Sequence, residues 1–117
     1  MHELSYMIKL ADIAMTSLPD DENIRPVKLV VEVGELTGVL PEYLRKYYPA
    51  VIRDTPLKGS TLEVISIPSE AECQSCGTVY HPDKAFDYLC PNCKKSSCRF
   101  IHGRELNVRE LVIDRDS

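Results

Sequence analysis

The spacing of hydrophobic residues divides the chain into segments of helical and of strand character. Between Leu4 and Leu18 apolar residues recur every three or four positions, which predicts an amphipathic helix that ends before Pro19. From Val27 to Val33 every odd position is apolar and most residues are β-branched, which predicts a strand with one fully buried face. The buried stripe expected for the helix is Leu4, Ile8, Ala11, Met15 and Leu18.

The following segments repeat this order of helix and strand. A turn-rich loop bracketed by Gly34 and Gly38 leads to a second helix, predicted from Pro41 to about Arg53 because proline suits the first helical position. Residues 61–67 alternate as another strand. The residues expected to be buried in the second helix are Leu44, Tyr47 or Tyr48, Val51 and Ile52.

The pattern changes at residue 71. Residues 71–100 hold all five cysteines and lack a long apolar period, whereas residues 104–114 resume a strand whose alternation slips near Arg109, which predicts a bulge. The strand predicted at residues 104–114 is expected to pair with the strands of the first sheet. The predicted fold class is therefore α+β: a small three-stranded sheet packed against two helices, with an inserted zinc-ribbon-like module of four cysteines. The predicted domains are 1–70 together with 101–117, and the insert 71–100.

Composition and charge narrow the range of functions. The formal net charge of -4 disfavours broad binding to nucleic acid or anionic membrane, because phosphate contacts need a surplus of Lys and Arg. No apolar run approaches the roughly 20 residues that span a bilayer, and the N-terminus lacks the basic region of a secretory signal. The expected location is the cytoplasm, where thiols stay reduced, so an odd count of five cysteines favours metal ligation over disulfides.

Four cysteines have the spacing of a metal site. Cys73 and Cys76 form one CxxC pair and Cys90 and Cys93 a second, with thirteen residues between the pairs. Each turn aims two thiolates at one point, and two such turns make a tetrahedral cage that suits Zn(II). Because protein ligands fill all four positions, the zinc is predicted to be structural, and so short a module should need it to fold.

Two other kinds of site, a redox pair and an iron–sulfur cluster, also use paired cysteines. A thioredoxin-type redox pair needs a βαβ context, which the predicted elements lack, and an iron–sulfur cluster is a further alternative. Gly77 follows the first pair, where a left-handed residue is often needed, and Lys94 occupies the matching place in the second. Cys98, His81 and His102 could each replace a ligand, but surface positions are expected for all three.

The N-terminus carries a second candidate metal site. His2 directly follows Met1 and should protect it from removal, which would leave a free amine one residue from an imidazole. Amine, backbone amide nitrogen and imidazole can chelate one ion in a plane, an arrangement that suits Ni(II) or Cu(II). On spacing alone, an exposed terminal histidine is the more ordinary interpretation.

Taken together, the chain resembles the HypA/HybF family of hydrogenase nickel-incorporation proteins over nearly its whole length. The resemblance rests on the Met1-His2-Glu3 start, on the paired CxxC motifs, on the loop after the first strand and on a run before the last strand. The loop reads Val33-Gly34-Glu35-Leu36-Thr37-Gly38-Val39, and the run reads Gly103-Arg104-Glu105-Leu106.

The resemblance implies a metallochaperone, not an enzyme, that binds Ni(II) and delivers it for [NiFe]-hydrogenase maturation. It implies His2 as the essential nickel ligand, helped by the Met1 amine and the backbone amides of His2 and Glu3, with zinc in the cysteine module. The implied partners are a HypB-type nickel GTPase and the large subunit of the hydrogenase. A homodimer is left open.

One position departs from the family pattern. Many members carry a carboxylate seven residues into the Gly-Glu-Leu loop, close to His2 in the fold, and counting from Gly34 that position here is Leu40. The nearest acid is Glu42, which falls in the predicted second helix. Either Glu42 takes over the role of the missing acid, or nickel here lacks that side-chain ligand.

Two other functions compete with nickel delivery. The alternative is a zinc-ribbon module that binds nucleic acid or protein, since residues 77–109 hold six basic side chains against three acidic ones, and Phe86, Tyr88 and Phe100 could stack on bases. The ordinary interpretation of this composition is a solvated basic face over packed aromatics. An enzyme is not expected, because the sequence has no catalytic triad, phosphate loop or pair of catalytic carboxylates.

Overall fold

The computed structural model describes residues 2–21 and 23–115, with His2 described by its backbone alone. Two α-helices span His2–Thr16 (α1) and Pro41–Ile52 (α2), and short 3-10 turns span Glu35–Thr37 and Lys84–Phe86. In these residues no helix is long and apolar enough to cross a membrane. The strands are β1 Ile24–Gly34, β2 Thr61–Ile67, β3 Glu70–Cys73, β4 Val79–Tyr80, β5 Cys98–His102 and β6 Leu106–Arg115.

The strands form two three-stranded sheets. In the first sheet β1 lies at the centre, parallel to β2 and antiparallel to β6, so the predicted return of the last strand is confirmed. The predicted bulge is confirmed as well, because Val30 pairs with Glu110 and Val31 with Val108, leaving Arg109 as the extra residue. The second sheet has the order β4-β3-β5 and contains the cysteine-rich residues. The predicted α+β fold class is therefore confirmed.

The hydrophobic core lies between the first sheet and the two helices. Leu29, Val31 and Val33 project from one face of β1 into this core, as the strand period requires. Of the two tyrosines considered for α2, Tyr48 is the buried one, and its hydroxyl lies 2.6 Å from the Ser60 Oγ. The helices and the loops that flank α2 contribute Met7, Leu10, Ala11, Ala14, Val39, Leu44, Ile52 and Leu57.

The buried face of α1 differs from the predicted stripe. Ala11 is buried and Met15 and Leu18 are half-buried, but Leu4 and Ile8 are exposed by 37% and 46%. The core-facing row is displaced around the helix axis toward the positions of Met7 and Ala14. Because α1 is apolar on adjoining faces, its periodicity alone does not select the buried one.

Strand β1 also departs from the expectation of a single buried face. Val27 is 40% exposed, so the buried odd positions begin only at Leu29. Val30 lies on the opposite face, yet only 2% of it is exposed. On that face it is flanked by Lys28 and Glu32, whose ion pairs reach to the neighbouring strands at 3.3 and 4.0 Å.

The backbone at the end of β1 and just after it hydrogen-bonds to the segment that connects β5 to β6. The Gly34 N–H donates to the Glu105 carbonyl at 2.6 Å, and the Leu36 N–H donates to the Gly103 carbonyl at 2.7 Å. A Cβ at position 34 would lie 2.1 Å from the Gly103 carbonyl oxygen, so only glycine fits there. Gly103 has a φ of 118°, and a Cβ there would lie 2.9 Å from the Ser69 Cα, so glycine is also required in the run before β6.

Candidate metal centre

The four cysteines of the paired CxxC motifs come together at one end of β3. Their sulfur atoms all lie within 4.8 Å of one another. The Cys73 and Cys93 sulfurs are 3.4 Å apart, and those of Cys76 and Cys90 are 3.6 Å apart. Sulfurs at the corners of a tetrahedron around zinc, each about 2.3 Å from the metal, would be roughly 3.8 Å apart. The cluster therefore has the dimensions of a four-sulfur metal site.

Two turns of the same geometry hold these sulfurs. The Gly77 N–H donates to the Cys73 carbonyl and the Lys94 N–H donates to the Cys90 carbonyl, both at 2.8 Å. Gly77 has a φ of 77° and Lys94 a φ of 62°, so the expected left-handed residue is confirmed in both turns. A lysine in this conformation costs roughly 1–2 kcal/mol, which indicates that the surrounding turn imposes it.

The electrostatics of the cluster also favour a cation. The Thr78 hydroxyl and backbone amide, together with the Asn92 amide, lower the pKa of Cys76 to about 6. The Lys95 amide lowers the pKa of Cys93, but the neighbouring thiols and burial outweigh it and raise that pKa to about 12. Four thiols at these distances cannot all ionise without a bound positive charge, because like charges oppose one another. A divalent, thiophilic ion resolves this conflict.

Thr78 and Asn92 were not identified from the sequence. The Thr78 Oγ1 lies 3.1 Å from the Cys76 sulfur, and the Asn92 amide reaches the Thr78 Oγ1 at 3.3 Å. Such outer hydrogen bonds orient metal ligands and offset their charge. A polar residue two positions after the second cysteine of a CxxC pair is the sequence signal that could have indicated Thr78.

The cluster is enclosed by protein at two of its four corners. Cys73 and Cys90 are 1% and 0% exposed, Cys93 is half-buried, and Cys76 is exposed. Four protein sulfurs leave an ion no free coordination position, so this arrangement suits a structural role. In the part of the chain that the structure describes, no other group of three or more Cys, His, Asp or Glu has this geometry.

The three residues considered as substitute ligands lie outside the cluster. His81 is exposed, and its Nδ1 lies 2.7 Å from the Ser69 carbonyl oxygen. His102 is exposed, and hydrogen bonding to the Glu105 carboxylate at 2.9 Å raises its pKa. The surface position expected for Cys98 is wrong, because this residue is half-buried against the small core of the module. Its pairing with β3 across the sheet places it there, which the sequence does not reveal.

Tyr80 is a buried residue of this module that was not predicted from the sequence as part of the site. Only 7% of it is exposed, and its hydroxyl has no partner with good hydrogen-bond geometry among the described residues. The Cys98 thiol, followed by burial and the charges of Cys98, Cys90 and Cys73, raises the pKa of Tyr80 to about 12. The phenol of Tyr80 therefore stays protonated.

The residues predicted to hold nickel fall largely outside the described part. Met1 and the side chain of His2 are not described, and Glu3 is half-buried in the first turn of α1. Leu40 precedes α2 and is 46% exposed, while Glu42 is exposed in the first turn of that helix. The predicted nickel site therefore stays a prediction.

The aromatic residues of the alternative function differ in their surroundings. Phe86 and Tyr88 are 54% and 60% exposed, next to a turn in which Asp87 and Tyr88 both have positive φ. Phe100 is 37% exposed, and the Arg104 guanidinium lies 5.7 Å from its ring. The expected layer of packed aromatics beneath a basic face is thus wrong for Phe86 and Tyr88.

The fold and the sulfur cluster define the class: a small α+β metal-binding protein with a four-cysteine module. A family model described as hydrogenase/urease nickel incorporation, metallochaperone, hypA, matches residues 1–113. The chain belongs to this HypA family of nickel-incorporation proteins.

Individual relatives agree with this assignment, and a solved structure shares the fold. The hydrogenase maturation factor HypA of Desulfatibacillum aliphaticivorans is 35% identical over 97% of this chain and 87% of its own length. That of Geobacter sulfurreducens is 34% identical over 97% of this chain and its entire length. The solution structure of the Ni metallochaperone HypA from Helicobacter pylori has a similar fold, with a TM-score of 0.67 at 17% identity, covering 97% of this chain and 98% of that one.

Proposed function

We propose that this protein binds Ni(II) and delivers it for [NiFe]-hydrogenase maturation, while a structural zinc ion holds its cysteine module together. The observation that carries the proposal is the four-sulfur cluster within 4.8 Å, in a chain that belongs to a nickel-incorporation family. The protein acts as a carrier and not as an enzyme. The cluster offers no open coordination position for chemistry on a substrate.

Zinc is assigned to Cys73, Cys76, Cys90 and Cys93. Four thiolates in a tetrahedral arrangement suit Zn(II), which has no redox chemistry and accepts this geometry readily. The ion would organise the insert 71–100, which is then distinct from a nickel-binding part made of residues 1–70 and 101–117.

Nickel is assigned to the N-terminus, at Met1, His2 and Glu3. The ligands are the terminal amine, the backbone amides of His2 and Glu3, and the His2 imidazole. These nitrogen atoms can form a plane around one ion, which is a geometry that Ni(II) favours. The proposal rests on the resemblance of the MHE start to that of the family.

We propose that this carrier acts in the cytoplasm. Its partners are a HypB-type nickel GTPase and the hydrogenase large subunit, with a homodimer as one candidate form. These partners are proposed from the resemblance to the family, whose members are hydrogenase maturation factors. Exposed Phe86 and Tyr88 would also serve the alternative, a module that binds nucleic acid or protein, and salt-dependent binding to RNA or DNA would favour that function instead.

Nickel titration by calorimetry tests the proposal. We expect one Ni(II) per chain in the native protein, loss of that site in His2→Ala, and no loss in the control His102→Ala, which removes an exposed histidine elsewhere. Affinity should fall as pH drops through the ordinary imidazole pKa of about 6.5, because only the neutral ring ligates. A tag placed before Met1 should also weaken binding, and a tagged protein that binds nickel as tightly would exclude the amine as a ligand.

The Leu40 position gives a more specific expectation. With no carboxylate there, the nitrogen ligands form a planar and therefore diamagnetic Ni(II) site. Glu42→Gln should then change neither the affinity nor the ligand number seen by X-ray absorption. If the variant binds more weakly and with one oxygen ligand fewer, Glu42 has replaced the missing acid and the planar site is wrong.

A further inference from the structure

Cys98 lies directly beside Cys73 in the second sheet. The two residues are opposite one another in the antiparallel register of β3 and β5. The Gln74 N–H donates to the Ser97 carbonyl at 2.9 Å, the bond expected next to a non-hydrogen-bonded pair. In such a pair the Cα atoms are about 4.5 Å apart and the side chains share one face, which falls within the roughly 4.4–6.8 Å that a disulfide can bridge.

A buried hydroxyl gives an independent indication of chemistry at this thiol. Tyr80 packs with Cys73 in the core of the module, and Cys98 packs against that core. The Tyr80 hydroxyl is buried and has no hydrogen-bond partner among the described residues. Buried hydroxyls are normally satisfied, and an unsatisfied one in a core lined by thiols is a feature that accompanies redox sites.

We propose that Cys98 is an oxidation site, which forms a disulfide with Cys73 and thereby releases the zinc ion. The inference rests on the zinc site proposed above. Cys73 has two competing uses, as a metal ligand and as a disulfide partner, and oxidation selects between them. Intracellular disulfides of this kind are transient and serve as redox sensors.

The oxidant is a peroxide. Cys98 is half-buried whereas Cys73 is only 1% exposed, so of these two sulfurs the peroxide reaches that of Cys98 more readily. The Cys98 thiolate attacks a peroxide oxygen, the O–O bond breaks, and a sulfenic acid and hydroxide form. The Cys73 thiolate, which would otherwise hold zinc, then attacks the Cys98 sulfur, so the S–S bond forms, the S–O bond breaks and a second hydroxide leaves. The two sulfurs lose two electrons, and the peroxide gains them and takes up protons to become two waters.

Direct oxidation of the zinc ligands is the competing route. The exposed Cys76 lies 3.6 Å from Cys90, and Cys73 lies 3.4 Å from Cys93. These pairs would form disulfides among the four ligands and would not require Cys98. The two routes therefore differ in which sulfurs are joined.

Peroxide-driven zinc release from the full chain distinguishes these routes. Zinc-loaded wild type, Cys98→Ser and the control Ser97→Ala are treated with hydrogen peroxide, and a chromogenic chelator follows the released metal. We expect release from Cys98→Ser to be several-fold slower than from wild type and from Ser97→Ala. Peptide mapping of the oxidised wild type should find Cys73 joined to Cys98, and a dithiol reductant should restore zinc binding.

Equal release rates in wild type and Cys98→Ser, or disulfides confined to the four ligands, would overturn the inference. Alkylating Cys98 in zinc-loaded wild type repeats the comparison without a substitution, in case the variant does not load zinc. Zinc content is measured before oxidation. A wild type without one zinc per chain would reject the zinc site and this inference together, whereas normal zinc content with equal rates would reject the inference alone.

Discussion

The two sheets of this protein differ in what stabilises them. Among the residues that the structure describes, the first sheet and its helices share a core of twelve buried hydrophobic residues, whereas the core of the cysteine module has four, and two of those are cysteines. Burying apolar surface stabilises the first part in proportion to the area removed from water. The module buries too little for this, and the zinc ion proposed for its four cysteines would supply the missing stability.

Backbone conformation shows the same contrast. Every non-glycine residue with positive φ in the described ranges lies in the module: Asp87, Tyr88 and Lys94. Such conformations are unfavourable for L-residues and persist only where the surroundings impose them. A part that folds around a metal tolerates local strain, because the metal–sulfur bonds supply more free energy than the strain removes.

Removing zinc should have the largest effect. It should unfold the cysteine module and leave the larger core intact. Structural zinc contributes on the order of 10–16 kcal/mol in small modules, so chelation under reducing conditions is expected to unfold residues 71–100. The core around Leu29 and Leu44 contains no sulfur ligand and should persist. Hydrogen exchange followed by mass spectrometry measures both regions at once. Unchanged amide protection in the module of the apo protein would contradict this prediction.

A cavity in the larger core should destabilise the first sheet and its helices and leave the cysteine module unchanged. Leu44 is 0% exposed, so Leu44→Ala is expected to lower the free energy of unfolding of the first part by about 2–5 kcal/mol. Zinc content should not change, since Leu44 belongs to the other core. Urea unfolding followed by circular dichroism, together with metal analysis, measures both quantities. Leu40→Ala, at an exposed position, is the control and should stay within about 0.5 kcal/mol of wild type.

The same contrast explains how much of the fold was predictable from the sequence. Strand β2, the start of α2 at Pro41 and the bulge at Arg109 follow from local signals, namely alternation, proline and a slip in the pattern. The exposure of Ile8 and Val27 does not, because it depends on how α1 and β1 pack against the rest. Local patterns predict elements, while tertiary contacts select which faces are buried.

In the candidate site, too, local sequence patterns predicted some features and not others. The spacing of Cys73, Cys76, Cys90 and Cys93 predicted a cluster because a CxxC turn fixes both sulfurs locally. The position of Cys98 beside Cys73 depends on strand pairing across twenty-five residues, which no local motif encodes. The predicted nickel residues stay a prediction.

The smallest expected effect concerns the two CxxC turns, which share one backbone geometry with different residues. Lys94→Gly should relieve left-handed strain of roughly 1–2 kcal/mol, partly offset by the greater freedom of glycine in the unfolded chain, about 0.5–1 kcal/mol. If the module folds with the proposed zinc ion, the net gain of about 0–1.5 kcal/mol should appear as a zinc affinity that is tighter by up to about tenfold.

Gly77→Ala is the matched opposite of this substitution. A Cβ at position 77 would meet no atom within 4 Å, so only the positive φ of 77° opposes alanine there. Zinc affinity should therefore weaken in Gly77→Ala and strengthen in Lys94→Gly, as measured by competition with a chelator of known affinity. Equal zinc affinities in wild type and both variants would mean that the turns adjust their backbone at no cost in free energy. The idea that the metal holds strained turns in the module would then be wrong.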